Sequence, residues 1–414
     1  QYPHAVKQMP EGAGWLMAQF GGADREEASA RARGFVDAMH ASGSVLEARV
    51  LDDPVRMGEI WKVREAGLGA TARVPAEPDT WEGWEDSAVP PERLGDYLRD
   101  LYSLMEEFGF ADRSSMYGHF GHGCLHTRIP FDLRSQAGIT DFRRFVERAA
   151  DIVVSYGGSL SGEHGDGQSR AELWPKMFGP ELMSAFAEFK RIFDPGDRMN
   201  PGKLVSPDGH GPYRLDENLR LGTDYRPART DTYFGYPHDD ADFGRAVLRC
   251  VGVGECRKDS GGVMCPSYRV TREEEHSTRG RSRLLFEMLE GDLVHGGWRS
   301  TEVNDALDLC LACKGCKTDC PVNVDMATYK AEFLAHHYAG RPRPAVGSGR
   351  FLRTRTGERA ELTSVPGAPG QTDRRRGTGA PDSLLRPGPL QRLAAQTWFA
   401  RRWARRGDPV AGHL

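Results

Sequence analysis

Apolar positions along this chain recur in two periods, and the switches between them mark its elements. Gly14 to Phe20 is a short apolar run closed by Gly21 and Gly22, the pattern of a buried strand. Ala28, Ala32, Phe35, Val36 and Met39 then repeat at helical spacing up to Gly43, and Val45 to Leu51 returns to a strand pattern. A β-α-β unit is therefore expected first. Leu94, Tyr97, Leu98, Leu101, Leu104 and Phe108 predict an amphipathic helix ended by Gly109. Thr140 is the expected cap of a second, which carries Phe142, Phe145, Val146, Ala149 and Val153 up to Gly157 and Gly158. Leu182, Phe186, Phe189 and Phe193 form another helical face, broken at Pro195. Farther on, Ser277 or Thr278 caps a helix through Leu284, Leu285, Met288 and Leu289, and Met326, Tyr329, Phe333 and Leu334 mark one more after Pro321.

Periodicity is lost from about Arg341, where Arg, Gly and Pro dominate and Arg374, Arg375 and Arg376 adjoin. Such a composition cannot bury enough surface to offset its chain entropy. Residues 341–414 are expected to be a disordered basic tail or an out-of-frame stretch. The 414 residues suggest two or three domains, and the net charge of −4 argues against a general nucleic-acid binder. A mean hydropathy of −0.56, with no apolar run of bilayer length, predicts a soluble protein. The chain opens at Gln1 inside an apparent domain, which is expected of a fragment.

The cysteines change the picture most. Seven of the eight fall between Cys250 and Cys320, which points to metal ligation in a reducing compartment. Cys310, Cys313, Cys316 and Cys320, followed by Pro321, read C-x2-C-x2-C-x3-C-P, a ferredoxin ligand run. Three thiolates at this spacing reach one cluster, and the fourth turns to a second. A zinc site more often uses two separated pairs. The earlier cysteines, Cys250, Cys256 and Cys265, make an incomplete run, because Val253 stands where another thiol is expected. On the dicluster pattern Cys265 joins Cys310, Cys313 and Cys316 around a [4Fe–4S] cluster. Cys320 then joins Cys250 and Cys256 around a second cluster, either [3Fe–4S] or completed by a group such as Glu255, Asp259, His276 or water.

A second chemistry lies upstream. His119, His122 and His126 fall within eight positions among glycines, and imidazoles on such a turn suit a divalent metal. A strict strand would put His119 and His126 on opposite faces, so the backbone must reverse or bulge for both to meet one ion. Glu163 and His164, flanked by Gly162 and Gly165, offer a hard metal ligand beside a general base. Arg64 can clamp a carboxylate through its planar fork, and Arg128 follows His126 closely enough to meet a second one.

Taken in order, Gly118 to His126, Gly162 to Gly165 and Asn200 to Lys203 resemble the C-terminal domain of FAD-linked oxidases of the vanillyl-alcohol-oxidase type. That group includes D-lactate, glycolate and D-2-hydroxyglutarate dehydrogenases. The resemblance covers roughly residues 1–222 and implies an α+β, ferredoxin-like domain. It implies that His119, His126 and Glu163 hold a divalent metal such as zinc and that His164 is the catalytic base. It also implies that Arg64 binds the substrate carboxylate and that Asn200 lies near the flavin. FAD itself would be held mainly by an N-terminal domain upstream. Two departures stand out. His122 and Cys124 replace the usual Asp and Asn, and Trp84 stands where a lysine is often found, so carboxylate recognition is rearranged and His122 becomes a substrate-site candidate. Residues 223–340 resemble the all-α ferredoxin domain of succinate-dehydrogenase iron–sulfur subunits.

The joint expectation is a D-2-hydroxyacid dehydrogenase acting on D-2-hydroxyglutarate or D-lactate. It would pass hydride to FAD and single electrons through two clusters to a quinone, a cytochrome or an electron-transfer flavoprotein. A cytoplasmic homo-oligomer, or one peripheral at the inner face of the membrane, fits this reading. Its rivals are a non-catalytic iron–sulfur electron-transfer subunit and a zinc-binding scaffold.

Overall fold

The computed structural model describes residues 7–342, apart from 13, 44, 46, 74–77, 209–210 and 226–229. The basic tail beyond 342 lies outside the described residues. Thirteen named helices of five or more residues run through the described chain. They begin with α1 (Arg25–Ser42), α2 (Pro54–Glu65) and α3 (Gly67–Ala72). Strand β1 (Ser87–Ala88) precedes α4 (Leu94–Glu107), and β2 (Ser115–Tyr117) and β3 (Cys124–Arg128) follow. Next come α5 (Gln136–Ser155), α6 (Gly167–Ala171) and α7 (Trp174–Phe193). The cysteine-bearing part holds α8 (Phe243–Val247), α9 (Pro266–Thr271), α10 (Thr278–Glu290), α11 (Thr301–Asp308), α12 (Gly315–Asp319) and α13 (Met326–His337). None is long and apolar enough to cross a membrane.

The three strands form one antiparallel sheet in the order β1-β3-β2, with Tyr117 opposite His126 and Leu125 opposite Ser87. One core lies between this sheet, α4 and α5. Tyr97, Leu101 and Met105 of α4 and Phe145, Val146, Ala149 and Val153 of α5 are fully buried there. Burial of each Leu, Met, Phe or Val side chain among them contributes about 1.5–3 kcal/mol. The helical periodicity read from both segments is what sets these residues on one face. A second core gathers Leu285 of α10, Val303 and Leu307 of α11, Tyr329 and Phe333 of α13, and the buried cysteines. Trp81 packs against both cores.

Three expectations need correction. Residues 14–20, and 45 and 47–51 of the second segment, form no strand, so the β-α-β unit is absent among the described residues and α1 stands without a buried residue. An apolar pattern places side chains, but a strand exists only when a neighbour takes its N–H and C=O groups. The second long helix begins a turn before Thr140. Ser135 accepts from the Gly138 amide and caps it, while the Thr140 hydroxyl donates to the Gln136 carbonyl inside the helix. Helix α7 ends before Pro195 as expected and kinks at Gly179, but Leu182, Phe189 and Phe193 on its apolar face are exposed.

Candidate metal and iron–sulfur sites

The glycine-rich histidine stretch folds as a hairpin. After β2 the chain makes a single 3-10 turn, Phe120–His122, in which the His119 carbonyl accepts from the His122 and Cys124 amides at 2.8 and 3.2 Å. Gly123, at φ +70°, closes the turn where a Cβ would strike the Val89 carbonyl at 1.9 Å. The reversal returns His119 over β3, its ring centre 5.9 Å from that of His126. Gly162 brings the next loop against the same sheet, where a Cβ would meet Cys124 Sγ at 2.8 Å and Asp86 Oδ1 at 3.0 Å.

One carboxylate oxygen is central. Glu163 Oε1 lies 2.9 Å from His126 Nε2 and 3.4 Å from both His119 Nε2 and His164 Nε2. The donor atoms of His119, His126 and Glu163 all fall within 4.8 Å of one another. Ligands about 2.1 Å from a tetrahedral ion stand about 3.4 Å apart, so this set fits a metal such as zinc. The buried His126 ring has Nδ1 3.2 Å from the Glu85 carbonyl, an acceptor that fixes its proton there and leaves Nε2 free to ligate. Arg64, at the end of α2, places Nη2 3.2 Å from His119 Nε2.

Two acidic residues that the sequence reading left unassigned hold His164 and its loop. Glu85 holds His164 Nδ1 at 2.9 and 3.0 Å, so Nε2 presents its lone pair to the Glu163 side. Burial pulls the His164 pKa down, but the Glu85 hydrogen bond and charge outweigh it and the net shift is upward. Asp86 is buried and accepts from the Ser161 hydroxyl and from the Glu163 and His164 amides. Burial raises its carboxyl, yet these donors bring it down to about 2. Asp86 thus fixes the backbone that carries Glu163 and His164. Arg170, buried on α6, donates to the Asp86 carbonyl at 2.8 Å and balances the acidic pair. Burial and the Asp86 charge push the Cys124 thiol up to about 12, in keeping with a packed, protonated residue.

The remaining candidates separate. His122 is exposed, with its ring centre 6.5 Å from that of His119. Asn200 is exposed at φ +53° in the turn after α7, and among the described residues no hydrogen bond joins its side chain to the histidines. Arg128 is buried two residues after His126 on β3, its Nη2 2.8 Å from Glu82 Oε1 and its Nε without a hydrogen-bond partner. Trp84 is a core side chain.

All eight cysteines are free thiols. Cys265, Cys310, Cys313 and Cys316 line one cavity, a four-thiol donor set that fits a [4Fe–4S] cluster. Asp319 of α12 holds the Val263 and Met264 amides and so brings Cys265 to the later run. Burial pushes the Cys316 thiol up to about 11, although the Met326 and Ala327 amides at the start of α13 donate to its sulfur. Iron binding is what makes a thiolate favourable in such a place. Cys250, Cys256 and Cys320 form the other group. Burial raises both Cys256 and Cys320, and the charge of Cys250 raises each further. The Arg279 amide donates to Cys256 Sγ at 3.3 Å. Val253 is 39 % exposed. Glu255 pairs with Lys258, Asp259 with Arg272, and His276 Nδ1 meets the Thr271 hydroxyl.

Residues 3–204 match the family model described as FAD linked oxidases, C-terminal domain, and residues 246–324 match the one described as 4Fe-4S dicluster domain. The chain therefore carries an FAD-linked oxidase C-terminal domain followed by an iron–sulfur dicluster domain. Its relatives include the D-2-hydroxyglutarate dehydrogenase of Haemophilus influenzae, 29% identical over 74% of this chain and 32% of that protein. That of Escherichia coli is 30% identical over 74% of this chain and 32% of that protein. A D-lactate dehydrogenase of Anaerostipes hadrus is 28% identical over 49% of this chain and 41% of that protein. The chain spans about a third of the length of the D-2-hydroxyglutarate dehydrogenases it matches.

Proposed function

We propose that this chain supplies the substrate, metal and electron-exit parts of an FAD- and iron–sulfur-dependent D-2-hydroxyacid dehydrogenase. The observation that carries the reading is the single Glu163 oxygen within 3.4 Å of three imidazoles. His119, His126 and Glu163 would hold a divalent metal such as zinc, which acidifies a bound hydroxyl. FAD, when bound, accepts the C2 hydride as the 2-oxoacid forms. His164 removes the hydroxyl proton at Nε2, with Nδ1 fixed by Glu85. Arg64 receives the carboxylate next to the reacting carbon, since it already touches the metal-site edge. Asn200 is assigned to the flavin side.

Arg128 favours D-2-hydroxyglutarate over D-lactate. It is a buried guanidinium on the strand that carries His126, engaged by Glu82 and the Tyr117 hydroxyl but with its Nε lacking a partner. A second carboxylate on the substrate would satisfy it. Cys265, Cys310, Cys313 and Cys316 would hold one cluster and Cys250, Cys256 and Cys320 a second, and these would supply one-electron exit from the flavin. We assign the second as [3Fe–4S], because Glu255, Asp259 and His276 are each engaged elsewhere. The first domain is read as ferredoxin-like. A cytoplasmic homo-oligomer, at times at the inner membrane face, delivering electrons to a quinone, cytochrome or electron-transfer flavoprotein, fits this exit route. The test is to express the full-length parent protein and screen D-2-hydroxyacids with an artificial dye acceptor. D-2-hydroxyglutarate should give the highest kcat/KM. No dye reduction by any D-2-hydroxyacid, in protein loaded with FAD and clusters, would refute the reading.

A further inference from the structure

Arg281 is fully buried at the start of α10, and no carboxylate lies within ion-pair distance of it among the described residues. A buried guanidinium is ordinarily matched by a counter-charge, because removing it from water is expensive. Its acceptors here are neutral or sulfur. Nε donates to the Ala306 carbonyl at 2.7 Å, Nη2 to the Ser267 hydroxyl at 2.9 Å, and Nη1 to Cys265 Sγ at 3.4 Å. The Ser267 hydroxyl in turn donates to the His276 carbonyl at 3.0 Å, so its lone pair is left for the guanidinium. Ala306 and Ser267 lock the planar fork, and the remaining arm is aimed at sulfur. Arg281 also lines the cavity shared by Cys265, Cys310, Cys313 and Cys316.

We infer that Arg281 is the built-in counter-charge of the cluster held by these four cysteines and raises its reduction potential. This rests on the assignment of a [4Fe–4S] cluster to that cavity. A cluster bound by four thiolates is net negative, and one-electron reduction adds a further negative charge. A fixed cation that also donates to a ligand sulfur stabilises the reduced form more than the oxidised form. The other thiol group also has cations beside it, Arg220 and Arg279 near Cys250, but the donor to sulfur from these arginines is the Arg279 backbone amide on Cys256.

The test is an anaerobic redox titration of the full chain followed by EPR, with Arg281→Met and Arg281→Lys beside the wild type and iron content measured for each. In Arg281→Met the reduced-to-oxidised ratio of that cluster at fixed potential should fall by about tenfold, equivalent to about 59 mV for one electron. Arg281→Lys should fall by less than about threefold, and the other cluster's signal should not move. An unchanged ratio in Arg281→Met would overturn the inference while leaving the cluster assignment standing. If Arg281→Met loses its iron, retention in Arg281→Lys supports a charge requirement, and equal loss in both overturns it. A wild type without a four-iron signal would remove the assignment and the inference together.

Discussion

At the scale of single residues, the grouping of His119, His126 and Glu163 was legible in the sequence and the groups that hold them in place were not. Histidine and glutamate among glycines announce metal chemistry by residue type, and His119, His126 and Glu163 do meet in space. Glu85 and Asp86 lie in an aromatic and acidic stretch that reads equally well as a solvated surface. Their role depends on contacts with His164 across 79 and 78 positions, which no local pattern encodes. The assigned roles lead to two expectations for the full-length protein. Replacing His164 with Ala should lower kcat by ~10²–10⁴ while FAD and iron contents stay constant, as measured by steady-state assay and cofactor analysis. Near-normal turnover would place the base elsewhere. Arg128→Met should weaken D-2-hydroxyglutarate selectively. A hydrogen bond to a charged group is worth about 1.5–3 kcal/mol, so kcat/KM for the dicarboxylate should drop at least about tenfold while that for D-lactate holds. An equal loss on both substrates would make Arg128 a purely structural partner of Glu82.

At the scale of elements, helices with a strong apolar stripe were readable to within a turn, because their signal is local. The start of α5 was misplaced because Ser135 competes with Thr140 as a cap, and Asp132, which holds the Ser135 hydroxyl and amide, selects the earlier one. Strands were read poorly for the reason already seen at residues 14–20: pairing is a long-range property. The hairpin between β2 and β3 is intermediate. Its glycines signalled a reversal, but only the register Tyr117 opposite His126 shows which imidazole faces which. The loop carrying Glu163 depends on close approach at Gly162, so Gly162→Ala should force Cys124 and Asp86 aside. Overpacking of this kind costs about 1–3 kcal/mol. A lowered urea midpoint together with less bound divalent metal per chain is the expected result. Full metal content with an unchanged midpoint would show that the loop gives way without disturbing the proposed ligands.

At the scale of the whole molecule, the proposed function divides the chemistry between two kinds of site: one set of residues would handle protons and carboxylates, the other single electrons. The dicluster pattern already grouped Cys265 with Cys310, Cys313 and Cys316, and these four do line one cavity; what the sequence did not show is the contact that draws Cys265 there, Asp319 on the Val263 and Met264 amides. The iron count at Cys250, Cys256 and Cys320 is the quantity that tests this grouping. Val253 lies between Gly252 and Gly254, both at positive φ, and offers no ligating atom. Three thiols without a fourth donor favour a three-iron cluster. Anaerobically purified chain should then hold about seven irons, three beyond the four-iron cluster, and show an EPR signal in the oxidised state. Val253→Cys should raise the count toward eight and remove that oxidised signal, because a fourth thiolate holds the fourth iron. Two coupled four-iron signals in the wild type, with iron unchanged by Val253→Cys, would identify a non-cysteine ligand instead. About four irons in all would mean that the first site is empty and its buried thiols serve only the core.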